Sequence, residues 1–243
     1  MSTRQRLDEA LVARGLYPSR SRARDAVLRG TVKVDGQPAS KPSQTVGANN
    51  MLTIEDEAQG YVSRAALKLK HGLSEFGISA KAKNALDIGA STGGFTQVLL
   101  EEGAAHVTAI DVGHGQMQVF DPRVTLIEGL NVRDLCAEHL SRSIQLIVCD
   151  VSFISLKLAL PAALELAEEG AKLVALIKPQ FEAGREAIGK GGLVTDPAVH
   201  ERVCTEITAF LLAQGWRVLG LTSSPVEGGD GNREFLVAAG KFT

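Results

Sequence analysis

A chain of 243 residues holds one large domain, or a moderate one with a small module, and 44% apolar content supports a full-sized core. The net charge of −2 announces no nucleic-acid partner in bulk, yet residues 1–50 carry nine Lys/Arg against four Asp/Glu, and the remainder seventeen against twenty-four. Three scattered cysteines exclude a disulfide framework or a cysteine metal knuckle, and the lack of an 18-residue apolar run excludes a spanning helix.

No apolar signal-peptide core opens the chain, so a cytoplasmic location is expected. From Arg6 to Gly15, Leu7, Ala10, Leu11 and Arg14 recur at helical spacing before a glycine stop. Ser19 suits the N-cap of a second helix, Arg20 to Leu28, with Ala23, Ala26 and Val27 on its core face. Thr31–Gly36 alternates and turns as a hairpin does, and Met51–Ile54 supplies another short strand. Arg20, Arg22, Arg24 and Arg29 cluster around the turn and second helix. Such a cluster can meet phosphates without reading base sequence, although a solvated basic face explains the charge as well. The pattern Arg6-Leu7-Asp8, Ser21-Arg22-(x)2-Asp25-Ala26 and Gly30-x-Val32-x-Val34-x-Gly36 resembles the S4-type RNA-binding domain. That resemblance implies structured RNA as partner, with Arg6, Arg20, Arg22, Arg24, Arg29 and Lys33 as contacts.

The module is expected over residues 1–56, a small acidic linker over 57–62, and a second domain over 63–243. Ser63 can cap a helix in which Ala65, Leu69, Leu73 and Phe76 form one stripe. Lys68 lies beside that stripe, where an ordinary surface lysine is the default.

Apolar strands then alternate with helical segments: Asn84–Ile88, His106–Ile110, Val124–Ile127, Gln145–Cys149 and Ala171–Ile177. This predicts a largely parallel α/β sheet covered on both faces. The helix 197–214 follows, and strands 217–221 and 234–238 can form an antiparallel edge. Cys149 and Cys204 are expected as small buried hydrophobes or helix residues, not as covalent nucleophiles. Ligands of such sheets sit beyond the carboxyl ends of the strands, and Asp87, Asp111, Asp150 and Lys178 all fall at or near such ends.

The run Asp87-Ile-Gly89-Ala-Ser91-Thr-Gly93-Gly94-Phe95 reads as strand, glycine loop and helix start. Its spacing departs from the dinucleotide pattern, and no Gly-Lys-Ser/Thr loop is present to hold ATP. Asp111, followed by Val112, comes 22 residues after Gly89, the right distance for gripping a ribose diol. The loop thus favours S-adenosylmethionine, with NAD and a cofactor-free glycine turn as alternatives. Asp134 either accepts from an adenine amino group or caps the turn before Leu135.

The fourth strand ends Asp150-Val151-Ser152-Phe153, without the proline pair of amino-directed methyltransferases. A hydroxyl acceptor remains. A ribose 2′-hydroxyl needs its proton handled, and a lysine kept neutral by desolvation and a neighbouring ammonium can do so. Lys178 at the rim can instead snorkel outward, and Glu234 can be an edge-strand charge. Phe153 stacks on an extruded base or packs beneath its own loop. Arg185, in a glycine-rich rim segment expected to be mobile, meets RNA or solvent.

Ser63-Arg64-Ala65-Ala66-Leu67-Lys68-Leu69, the glycine loop, Asp150-(x)2-Phe153, Lys178-Pro179-Gln180-Phe181-Glu182 and Asn232-Arg233-Glu234 together resemble the FtsJ-like ribose 2′-O-methyltransferases. With the S4-like head, the whole chain resembles the TlyA family, whose members also bear the name haemolysin. The resemblance implies a seven-stranded Rossmann-like methyltransferase domain beside a small α+β module. It implies a tetrad of Lys68, Asp150, Lys178 and Glu234, with Arg64 among the RNA contacts. It also implies methyl transfer from S-adenosylmethionine to a cytidine of ribosomal RNA. The short ends resemble members acting on the large subunit; the small subunit is the further candidate. No metal, no DNA partner, no stable membrane insertion and a monomer are expected. The alternatives are an RNA-binding assembly factor with an inactive core and a membrane-active haemolysin.

Overall fold

A computed structural model describes residues 4–119 and 121–242. The chain divides into two units, the first extending to Gly60 and the second beginning at Tyr61.

In the first unit, β1 (Gln5–Arg6) leads into α1 (Leu7–Ala13), and α2 (Arg20–Leu28) follows, capped by Ser19 Oγ, which accepts from the Arg22 amide. β2 (Val32–Val34) turns into β3 (Gln37–Pro38) and pairs on its other side with β5 (Leu52–Ile54). The tiny ladder between β1 and β4 (Thr45–Val46) carries no alternation long enough to read from sequence. Leu7, Leu11, Ala23, Val27 and Val32 form the core. Asp56 ties the last strand's exit to the helices. It accepts from Arg29 Nη1 and Nη2 at 2.8 and 2.9 Å and from the Tyr17 hydroxyl at 2.6 Å. Burial alone would raise its pKa, but the Arg29 and Tyr17 hydrogen bonds hold it below the usual carboxylate value.

The second unit opens with α3 (Ala65–Glu75), then alternates β6 (Asn84–Ile88), α4 (Gly94–Glu101), β7 (His106–Asp111), β8 (Val124–Glu128) and β9 (Ile144–Cys149). The short helices α5 (Leu156–Ala159) and α6 (Pro161–Leu166) lead to β10 (Ala167–Ile177). After α7 (Pro179–Glu182) comes the long α8 (Pro197–Ala213), then β11 (Trp216–Ser223) and β12 (Phe235–Lys241). The sheet order is β11-β12-β10-β9-β6-β7-β8, parallel except for β12, which runs antiparallel to both β10 and β11. One apolar cluster lies on each face: Leu86, Ile147, Leu160 and Ile207 belong to one, and Leu69, Leu99, Val148 and Leu236 to the other. Gly72 lets α3 sit close on the sheet, because a Cβ there would lie 3.0 Å from Val174 Cγ1. The segment 180–196, expected as a mobile loop, instead carries α7 and two 3-10 turns. Among the described residues no helix is long and apolar enough to cross a membrane.

Sheet register sets the site. Ile177 pairs with Phe235, which places Lys178 and Glu234 at the same rim. Cys149 pairs with both Ala175 and Ile88, which brings Asp150 to that rim beside Gly89.

Candidate active site

Four charged side chains meet at this rim as two ion pairs. Lys68 Nζ donates to Glu234 Oε2 at 2.5 Å, and Lys178 Nζ lies 2.6 Å from Asp150 Oδ1. Lys178 also donates to Ser152 Oγ at 3.0 Å. Its contact with Asp150 is an ion pair without hydrogen-bond angles, so that carboxylate oxygen keeps its acceptor capacity. Lys68 is 5% exposed and Glu234 2%. Such burial corrects two sequence expectations. Lys68 is no surface lysine, because its side chain turns from the helix stripe toward Glu234. Glu234 is no edge charge, because β12 lies inside the sheet between β11 and β10.

Beside Asp150 the glycine loop bends sharply. Gly89 has φ 80°, and a Cβ on it would lie 2.6 Å from the Asp150 carbonyl oxygen. Its lack of a side chain is therefore required by the neighbouring strand. Gly93 is met by Met117 and Gly94 by Ser63, so these glycines too serve packing within the chain. Asp111 Oδ2 accepts from the Ser91 amide and Oδ1 from the Gly113 amide, each at 2.7 Å. These bonds hold Ser91 at φ 46°.

A cavity of about 930 Å³ opens over the loop, lined by Gly89, Ser91, Asp111, Val112 and Asp150 among others. These five were expected at a cofactor. Gly93 and Gly94 are not on its wall, and Phe95 is buried in the core with Val98 and Leu99. Phe95 follows the glycines in sequence, but the helix turn that carries it faces the sheet. Asp134 is exposed and off the wall; it ends a 3-10 turn capped by Asn131, whose side chain accepts from the Arg133 amide. Sequence reasoning missed Asn131, Val132 and Gln116, which do line the cavity. An Asn at the cap of a turn after the third strand is a signal that points to Asn131.

Asp87 stands apart. It is fully buried, accepts from the Thr96 hydroxyl at 2.6 Å, and has no partner for Oδ1. Burial pushes its pKa up to about 7, with Asp150 and Asp111 adding to the rise against the Thr96 hydrogen bonds. Three carboxylates thus gather near the ends of β6, β7 and β9, and two of them, Asp87 and Asp150, each keep a buried oxygen without a hydrogen bond. This electrostatic character suits a cationic ligand, and the cavity volume lies in the range that holds a cofactor. S-adenosylmethionine, with its sulfonium and ammonium charges, fits both conditions.

The aromatic at the rim is unusual. Phe153 has φ 64° and is 89% exposed, with its ring 5.1 Å from that of Phe181. It also lines the cavity. Packing beneath its own loop is thereby excluded. Arg185 is exposed on a 3-10 turn, and the Arg64 guanidinium lies beside Gly229.

In the first unit the basic residues divide. Arg29 pairs with Asp56 and Asp25 and is a structural residue, a correction to its expected RNA contact. Asp8 gathers Arg6 at 3.0 Å and Arg20 at 3.3 Å, and the Arg6 hydrogen bond holds its carboxyl below the usual range. Lys33 pairs with Glu55 at 2.7 Å, and Arg22 donates to the Ala58 carbonyl at 3.1 Å. Arg24 is exposed on α2.

Comparison with known proteins places both units in known families. The FtsJ-like methyltransferase family matches residues 61–241, and the S4 domain matches residues 5–52. The 16S/23S rRNA (cytidine-2'-O)-methyltransferase TlyA of Mycobacterium tuberculosis is 43% identical over 98% of this chain and 90% of its own. The 23S rRNA (cytidine-2'-O)-methyltransferase TlyA of Campylobacter jejuni is 40% identical over 76% of this chain and 73% of its own. A solved structure titled "Putative hemolysin from Streptococcus thermophilus" is 40% identical, covers 100% of this chain and 90% of its own, and superposes with a TM-score of 0.77. An S4 head, an FtsJ-like body and near full-length similarity to these proteins together mean that this chain belongs to the TlyA family.

Proposed function

We propose that the protein transfers a methyl group from S-adenosylmethionine to the ribose 2′-hydroxyl of cytidines in ribosomal RNA of the large and small subunits. The observation that carries this reading is the Lys178–Asp150 pair at 2.6 Å on the edge of the cavity, backed at the same rim by Lys68–Glu234. Both subunits are included because the M. tuberculosis relative, 43% identical, is named for 16S and 23S rRNA alike. Cytoplasmic location accords with a ribosomal substrate.

When bound, S-adenosylmethionine supplies an electrophilic methyl group on a sulfonium sulfur. Asp111, Gly89, Ser91 and Val112 would hold its adenosine, and Asp150, on the same wall, would answer its positive charges. Lys178 would take up the 2′-hydroxyl proton as that oxygen bonds the methyl carbon and the methyl–sulfur bond breaks, its electron pair remaining on sulfur. Asp150 and Ser152 fix the position of that amine. Lys68, held by Glu234, orients the ribose. Phe153 stacks on the cytosine after the nucleotide leaves its helix. The S4 unit adds phosphate contacts, Arg24 foremost. The first 60 residues act as the RNA-holding module and the rest as the methyltransferase.

Transfer of labelled methyl to isolated ribosomal subunits, followed by mapping of ribose methylation, tests the proposal. Label in 2′-O-methylcytidine is the expected result. Particle binding without transfer would leave an assembly factor with an inactive core as the better description.

A further inference from the structure

The base platform has a built support that the reaction itself does not use. Phe153 adopts a left-handed backbone, which a non-glycine residue keeps only where its surroundings over-determine it. Two neighbours on α7 supply that restraint. The Phe181 ring meets the Phe153 ring at 5.1 Å and 50°. Glu182 Oε2 accepts from Ser155 Oγ at 2.5 Å, and its Oε1 accepts from the Leu156 amide at 2.7 Å. Ser155 in turn caps α5 through the Lys157 amide. At the other end of the same loop, Lys178 holds Asp150 and Ser152. The run Lys178–Glu182 therefore grips the run Asp150–Leu156 at three points, with Phe153 between them.

We propose that Glu182 is a positioning residue for the acceptor base: by anchoring Ser155 and Leu156 it fixes the loop that presents the Phe153 ring, which Phe181 seats. The inference rests on the functional reading above, in which Phe153 stacks on the target cytosine. Glu182 does not itself line the cavity; it meets the wall only through Ser155, on the loop after β9, and makes no hydrogen bond to Gly89, Ser91, Asp111 or Val112. Its loss therefore acts first on the loop that carries Phe153. A ring displaced by about 1 Å is enough to cost on the order of a hundredfold in rate.

Glu182→Ala, Glu182→Gln and Phe181→Ala, made in the full chain, test this with two readouts. In methyl transfer to ribosomal subunits, Glu182→Ala should lower kcat/KM for the particle by about tenfold to a hundredfold. Its calorimetric affinity for S-adenosylmethionine should stay within about twofold, because Gly89, Ser91, Asp111 and Val112, which would hold the adenosine, keep all their contacts. Glu182→Gln keeps an acceptor for the Leu156 amide and should recover most of the activity. Phe181→Ala should lower kcat/KM in the same direction while leaving the Ser155 and Leu156 anchor in place. The second readout is the fluorine resonance of 4-fluorophenylalanine placed at position 153. It should be a single sharp line in the parent and in Glu182→Gln, and broadened or split in Glu182→Ala. An unchanged kcat/KM or an unchanged fluorine line in Glu182→Ala overturns the proposal. So does equal damage to cofactor and particle affinity in both Glu182 variants. If the parent protein transfers no methyl at all, the functional reading fails, and the fluorine line still reports whether Glu182 holds Phe153.

Discussion

Lys68 Nζ and Glu234 Oε2 lie 2.5 Å apart although 166 residues separate them in the chain. The pair joins α3 to the entry of β12 with almost no water contact, at 7% and 2% side-chain exposure. Two charges so placed stabilise each other at the expense of their hydration, and removing one leaves the other stranded. Lys68→Met should cost about 3–5 kcal/mol of folding free energy, measured by urea unfolding. Adding Glu234→Gln should restore most of that stability, because no uncompensated carboxylate remains. Methyl transfer should stay low in both, since neither restores a cation at the ribose. A double variant as unstable as the single one would show that packing, not charge pairing, sets the cost.

This pair also shows where sequence reading stops. The sheet strands were legible because a buried parallel strand is a short apolar run, and Asn84–Ile88 and Gln145–Cys149 need no partner to be seen. Lys68 sits beside a helical stripe, and periodicity ranks it as surface; only its neighbour from the far end of the chain reverses that ranking. The tetrad became legible through family resemblance, not through spacing. The glycine loop misled in the opposite direction. Gly93, Gly94 and Phe95 looked like cofactor residues because they are adjacent to Ser91, but Met117, Ser63 and the core account for them. Basic residues misled likewise, since an arginine's partner is a three-dimensional fact. Arg24 lies midway along α2 and Arg29 caps its C-terminus, and of the two Arg29 meets Asp56.

Arg24 and Arg29 should therefore respond oppositely. Arg29→Ala removes a bidentate pair and leaves the Asp56 carboxylate, side chain 1% exposed, with the Tyr17 hydroxyl as its remaining side-chain donor. That should cost about 1–3 kcal/mol of stability in the first unit, read as a lower midpoint of thermal unfolding. Arg24→Ala should leave the midpoint unchanged. It should weaken binding to ribosomal subunits and reduce the slope of log affinity against log salt by about one counterion. An Arg24 variant that binds with an unaltered salt slope removes it from the RNA contact.

Asp111 carries two loads, and its variants separate them. Its carboxylate orders Ser91 and Gly113 and lies on the cavity wall. Asp111→Ala should weaken S-adenosylmethionine binding by roughly tenfold to a hundredfold in calorimetry, since a charged acceptor is lost together with the loop order. Asp111→Asn keeps one carbonyl oxygen for the loop and should fall between parent and alanine variant. Equal affinity in all three proteins would place the cofactor elsewhere.

Asp87 makes stability depend on pH in an uncommon direction. Its pKa rises from 3.8 to about 7 because burial disfavours the carboxylate. Between those two values the folded protein holds a proton that the unfolded chain has released, so folding stability from this residue falls as pH climbs. The contribution is full below about pH 4, and declines through the acidic range until it is lost above the folded-state pKa near 7. Over that window it amounts to a few kcal/mol in order of magnitude. Other carboxylates, Asp8 and Asp56 among them, have lowered pKa values and contribute with the opposite sign, so the parent's own profile mixes the two. Asp87→Asn isolates the effect. Its amide oxygen can still accept from Thr96, and it carries no titrating group. The stability of the parent relative to Asp87→Asn should therefore drop from about pH 4 to about pH 7 and level off above it. A difference that stays constant across that range would mean that Asp87 titrates near its ordinary value and that its buried oxygen has found a partner.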